Sequence, residues 1–159
     1  MDLRKLLLIL GQGFGTGLSP NAPGTVGSFA AAVIFYYFIW DSIDNYLGIA
    51  LFFLFVVVCF FIGIFVLSQI IDEDRDPKSF VWDEFVGMWT SCVPLLFIDK
   101  DIYILLLSFC LFRLFDILKP LGIKSFDNKS GELYVMMDDI IAGIYSAFLV
   151  SLIIIYNYL

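Results

Sequence analysis

Five long apolar runs divide the chain, and the polar residues collect at the joints between them. The runs are Thr25–Trp40, Tyr46–Ile71, Val81–Ile98, Ile102–Leu118 and Ile140–Leu159. None keeps a clean period-two alternation, so helices are predicted rather than strands. Crossing a bilayer core takes about 20 residues, with a range near 17–25. The second and fifth runs meet that length comfortably and the third and fourth adequately. The first is short enough for a partial or re-entrant insertion. The predicted fold is an all-α integral membrane bundle of about five helices, one domain over residues 1–159, with a Gly/Pro-rich N-terminal loop.

Composition sharpens this picture. The 159 residues are 61% apolar and 16% charged, whereas soluble domains run at roughly 45–50% and about 25%. A mean hydropathy of +0.95 agrees. The net charge of −7 offers no basic stripe, which excludes a nucleic-acid partner. Histidine is absent, removing an imidazole base, a Ser-His-Asp triad and His-ligated zinc. Catalysis would fall to carboxylates, Lys, Arg, hydroxyls or an oxygen-bound metal. Cys59, Cys92 and Cys110 lie in separate apolar runs and read as small buried hydrophobes. Arg4 and Lys5 precede only Leu6–Leu10, too short for a signal-peptide core of about 7–15 residues, so the membrane character is expected of the mature protein.

Basic residues predict an orientation. With the N-terminus inside, the inner segments hold Arg4, Lys5, Arg75, Lys78, Lys119, Lys124 and Lys129, and the outer loops hold Lys100 alone. On that map Asp83, Glu84, Arg113, Asp116, Asp138 and Asp139 fall within roughly 10 Å of the inner boundary, at 1.5 Å of rise per residue. Asp41, Asp44, Asp99 and Asp101 read as solvated outer loop ends. Ionisable groups in membrane segments are costly and mark sites. A transporter places them near the midplane, whereas an interfacial cluster fits a lipid headgroup.

Several motifs carry candidate chemistry. Gly11–Ser28 holds too many glycines and prolines for a regular helix. It reads either as a loop whose N–H groups, with Thr25 and Ser28, receive a phosphate, or as a re-entrant turn whose glycines permit close packing. Asp76 before Pro77 suits a helix N-cap, with Asp83 seven residues on along the same face. Gly87, three residues past Glu84, is expected to clear space beside that carboxylate. Adjacent Asp83 and Glu84 at a span mouth call for a cation, and an all-oxygen donor set favours Mg²⁺ over zinc. Arg113, Asp116 and Lys119 at i, i+3 and i+6 form either a salt-bridged helix end or a phosphate-capturing face. Pro120 is expected to stop that helix. A helix dipole accounts for one of Asp138 and Asp139 at the mouth of the fifth run. Both, facing the first acidic pair, look like a divalent-metal site.

Taken together these motifs resemble the phosphatidylglycerophosphatase A family. The matching pieces are Gly13–Pro20 with Pro23–Ser28, Asp76-Pro77, Trp82–Gly87, Phe112–Pro120 and Met137–Tyr145, in the family's order. The resemblance implies a bacterial cytoplasmic-membrane enzyme that hydrolyses a lipid phosphomonoester, phosphatidylglycerophosphate, with Mg²⁺. Its charged motif residues map to Asp76, Asp83, Glu84, Arg113, Asp116, Lys119, Asp138 and Asp139. The expected division of labour puts Mg²⁺ on Asp83, Glu84, Asp138 and Asp139, with the phosphate on Arg113, Lys119, Thr25 and Ser28. Asp76 and Asp116 are expected to act as base, ligand or orienting group, on the cytoplasmic side of a multi-pass protein. The rival reading is a non-enzymatic carrier or assembly subunit whose charges are salt bridges.

Overall fold

The computed structural model describes residues 2–70, 79–120 and 131–158. It is helical, with no strand among the described residues. The helices are α1 (Leu3–Gly11), α2 (Pro23–Ile34), α3 (Tyr46–Ile70), α4 (Trp82–Cys92), α5 (Ile102–Leu118) and α6 (Glu132–Tyr158). Asp2 caps α1, its carboxylate accepting from the Arg4 N–H. This short helix packs on α3 and was not predicted.

Burial explains why α3 shows no polar face. Phe52, Val56, Cys59, Gly63, Val66, Leu67 and Ile70 line one buried stripe at helical spacing. The opposite face, including Phe53, Phe61 and Phe65, is just as apolar yet exposed. Such a surface is soluble in lipid and not in water. By contrast α4 is buried on every side, nine of its eleven residues being enclosed. It packs against α2, α3, α5 and α6 and is the axis of the bundle. Trp82 donates its indole N–H to the Cys59 carbonyl at 3.0 Å, and Trp89 donates to Ala31 at 3.1 Å. Each large ring is thus buried without stranding its polar atom.

Three expectations about span lengths change. The first run is not short: α2 continues through a π-helical turn, Phe35–Ile39, and a 3₁₀ turn, Trp40–Ser42. Pro23–Ser42, Tyr46–Ile70 and Glu132–Asn157 are the three described stretches long and apolar enough to cross a membrane. The third run yields only α4, which tightens at Val93–Phe97 into a 3₁₀ helix where Pro94 cannot donate to the ladder. Finally, α6 starts at Glu132, eight residues before the predicted apolar boundary. Asp138 and Asp139 therefore sit in its second turn, beyond reach of the dipole effect that was to account for one of them.

The α4–α6 contact sets the geometry of one end of the bundle. A Cβ at Gly143 would strike the Gly87 carbonyl, and one at Gly87 would lie 2.8 Å from the Asp139 carbonyl and 2.7 Å from the Phe112 ring. Gly87 thus serves backbone approach rather than clearance for Glu84, as had been expected. Deeper along the same contact the hydroxyls of Ser91, Ser108 and Ser146, all fully buried, meet at 2.6 Å separations. Polar links of this kind join helices whose apolar surfaces have no preference for each other over lipid.

The Gly-rich segment is a packed turn only in its first part; against the expectation that Gly11–Ser28 could not be regular helix, Pro23–Ser28 forms the start of α2, with Pro23 in its first turn where no N–H is needed. Residues Gly13–Leu18 form a kinked 3₁₀ segment with Gly13 at φ +53°. A side chain on Gly17 would collide with the Ser79 carbonyl. Of the two readings of this stretch, close packing describes Gly13 and Gly17.

Candidate active site

Four helices converge at one pole of the bundle: the first two turns of α2, α4 and α6 and the last two turns of α5. From α4 come Asp83 and Glu84, and from α6 comes Asp139; one carboxylate oxygen from each lies within 4.8 Å of the other two. Asp83 and Asp139 are 9% and 4% exposed. The Asp83 carboxylate accepts from the Glu84 N–H at 3.0 Å, and Asp138 accepts from the Asp139 N–H at 3.1 Å. Each acidic pair is thereby oriented by its own backbone.

Cations line the other side. Arg113 pairs with Asp116 at 2.6 Å and donates to the Ser28 hydroxyl at 3.2 Å. Ser28 in turn donates to the Gly24 carbonyl at 2.7 Å. Lys119 ends α5 in a left-handed conformation, φ +45°, before Pro120, and its ammonium lies 2.6 Å from Asp138. Pro120 thus follows the helix end, as expected. Gly24 is what lets these groups meet. A Cβ there would overlap the Glu84 carboxylate and come within 3.4 Å of the Arg113 guanidinium.

Charge accounting within this pole is uneven. Arg113 is matched by Asp116 and Lys119 by Asp138, while no ion pair reaches Asp83, Glu84 or Asp139 among the described residues. The Glu84 Oε2 and Arg113 Nε atoms are buried without a hydrogen-bond partner. An unpaired buried acceptor among clustered carboxylates carries a large desolvation cost. A hard divalent cation fits this all-oxygen set, and an anion fits the unmet guanidinium N–H.

The structure brings together most of the residues expected to form the site. Asp83, Glu84 and Asp139 form the carboxylate cluster, with Arg113, Asp116 and Ser28 beside it. Asp138 pairs with Lys119 and stands outside the three-carboxylate cluster. Thr25 is half-buried in the first turn of α2. Asp76 lies outside the described residues. The helix it was expected to cap, α4, begins at Trp82 with Val81 at the N-cap. Gly24 was missed, because only a tertiary contact reveals its part. At the opposite pole Asp41 pairs with Lys100 at 2.5 Å and Asp101 caps α5, in line with their reading as loop-end residues.

An apolar helical bundle with acidic and basic side chains gathered at one pole defines a membrane protein built to handle a charged group at that pole. The sequence model of the phosphatidylglycerophosphatase A family matches residues 9–154, and the chain belongs to that family. It is therefore an enzyme, a phosphoric monoester hydrolase, and the non-enzymatic reading falls. Phosphatidylglycerophosphatase A of Escherichia coli K12 is 38% identical over 142 residues, 87% of this chain and 78% of that protein. Its counterpart in Haemophilus influenzae is 36% identical over 155 residues, 94% and 90% of the two chains. A Bacteroides thetaiotaomicron protein, named provisionally as a phosphatidylinositol-3-phosphatase, is 38% identical over 92% of both chains. No solved structure matches the chain.

Proposed function

We propose that the chain hydrolyses phosphatidylglycerophosphate to phosphatidylglycerol and inorganic phosphate at the cytoplasmic leaflet, as a multi-pass protein dependent on Mg²⁺. The observation that carries this reading is the triad of Asp83, Glu84 and Asp139 facing Arg113, with a buried unpartnered oxygen on one side and a buried unpartnered N–H on the other. Asp83, Glu84 and Asp139 would hold the cation, which when bound supplies Lewis-acid polarisation of the phosphoryl group. Arg113 offers its free N–H to a phosphoryl oxygen while Asp116 and Ser28 hold the guanidinium in place. Lys119, fixed by Asp138, adds positive charge at the rim. The inner-leaflet assignment is supported by the seven-to-one bias of basic residues, along the sequence, toward the segments read as inner.

A second reading, with phosphatidylinositol 3-phosphate as substrate, is favoured by the Bacteroides relative. Purified protein in detergent, given each lipid with Mg²⁺ or with a chelator, separates the two. The expected outcome is Mg²⁺-dependent phosphate release from phosphatidylglycerophosphate at the higher kcat/KM. Faster release from the inositol lipid would move the headgroup assignment. Full activity in chelator would remove the cation from it.

A further inference from the structure

An apolar groove of about 310 Å³ runs between α2 and α5. Ala32 and Leu105, both about 5% exposed, lie deep in it, while Phe29, Val33, Leu106 and Phe109 also line it. Phe29 and Phe109 meet edge to face at 6.2 Å. Phe29 follows Ser28 in α2, and Phe109 is one helical turn before Arg113 in α5. The lining of the groove thus begins one residue from Ser28 and one helical turn from Arg113, the hydroxyl and guanidinium that touch in the candidate site. From Phe29 to Tyr36, and antiparallel from Phe109 to Ile102, it covers seven residues, about 10 Å of helix. Half of a bilayer core is about 15 Å deep. At its far end the Tyr36 ring carries the Lys100 ammonium 4.1 Å from its centre, so a polar pair marks the limit of the apolar channel. A second apolar crevice, about 270 Å³ between Val93–Phe97 and the end of α6, has no such continuity with the charged pole.

Resting on the lipid-phosphomonoester reading above, we propose that this groove is an acyl-chain subsite, holding one chain of the lipid whose phosphate meets Ser28 and Arg113. The two helices that carry the anion-facing groups also form the groove, so a chain seated in it sets where the attached headgroup can reach. A hydrocarbon chain gains no hydrophobic free energy in moving from bilayer to groove, because lipid is as apolar as the lining; van der Waals packing against the groove wall is what favours it there. The groove acts by position, and its effect falls on KM.

Two variants fill the groove from opposite helices, Ala32→Phe and Leu106→Trp. The second changes a residue 47% exposed, so it accommodates bulk and carries the test if the first variant fails to fold. Each is assayed in mixed micelles with dioleoyl and with dihexanoyl phosphatidylglycerophosphate. For the dioleoyl lipid, KM is expected to rise about tenfold, in the range one or two lost contacts command in an apolar pocket, with kcat nearly unchanged. The dihexanoyl lipid, too short to reach past the first turn of the groove, should keep its wild-type constants. An active wild type whose long-to-short kcat/KM ratio survives in the folded variants overturns the groove and makes its occupant a bystander lipid. A wild type that releases phosphate from neither lipid overturns the proposed reaction and the subsite with it.

Discussion

Asp139→Asn is the sharpest test of the carboxylate cluster, because charge changes while shape does not. Oxygens of Asp83, Glu84 and Asp139 lie within 4.8 Å of one another. Two unit charges at that separation repel by about 3.5 kcal/mol at an effective dielectric of 20. With all three ionised, three such pairs sum to about 10 kcal/mol, and neutralising Asp139 removes two of them, about 7 kcal/mol. A bound divalent cation reverses the sign of this balance. In chelator, therefore, Asp139→Asn should unfold at a higher temperature than wild type. Millimolar Mg²⁺ should raise the melting temperature of wild type and leave the variant nearly still. Turnover of the variant in Mg²⁺ should fall at least about 100-fold, the scale of losing one preorganised electrostatic contact. Phosphate release and thermal unfolding in detergent, with and without chelator, read both effects. Asp41→Asn and Asp101→Asn, at the opposite pole, serve as controls, and Asn still caps α5 at position 101. A wild-type melting temperature indifferent to Mg²⁺, together with near-normal turnover in Asp139→Asn, refutes the reasoning.

Other substitutions probe the surroundings of that cluster. Gly24→Ala places a methyl group where the Glu84 carboxylate lies; kcat is expected to fall about 10–100-fold, in the range of a disturbed supporting contact, with unchanged far-UV circular dichroism. Lys119→Met and Asp138→Asn, combined in a double-mutant cycle, should show a coupling in stability of at least about 1 kcal/mol, the top of the range for exposed pairs, because the pair is only 23% and 12% exposed. A coupling near zero would remove the pair as a fixed feature of the rim. Ser91→Ala takes out the hub of the buried serine trio and should cost about 0.6–1.7 kcal/mol, measured by equilibrium unfolding in mixed micelles.

Hydropathy read the bundle well where helices touch lipid and poorly where they extend beyond it. The uninterrupted apolar run begins at Ile140, but the backbone ladder of α6 already starts at Glu132 because its hydrogen bonds do not depend on side-chain polarity. The opposite error occurred at α4, where an apolar run hid Pro94 and the change to a 3₁₀ helix. Helix α1 escaped notice because nine residues are too few for a span, although Asp2 followed by leucines is a legible N-cap. Charged site residues were identifiable because lipid makes an unexplained carboxylate expensive. Which carboxylates meet was not, since adjacent Asp138 and Asp139 differ only in the side of the helix they occupy.

That difference is decided by the α4–α6 contact, and the two helices present the same order of side chains to each other. Glu84, Gly87 and Ser91 follow at i, i+3 and i+7 on α4, and Asp139, Gly143 and Ser146 at i, i+4 and i+7 on α6. These spacings place each set on one face. The glycines let the backbones touch, and the serines behind them lock the register through hydrogen bonds. A slip of one residue on α6 would turn its face by about 100°, carrying Asp139 away from Asp83 and Glu84 and parting Ser146 from Ser91. Packing in lipid provides no hydrophobic preference for one register over another. Close glycine contact and the buried hydroxyls supply that preference, and through it they hold the carboxylates in a cluster that their own charges oppose.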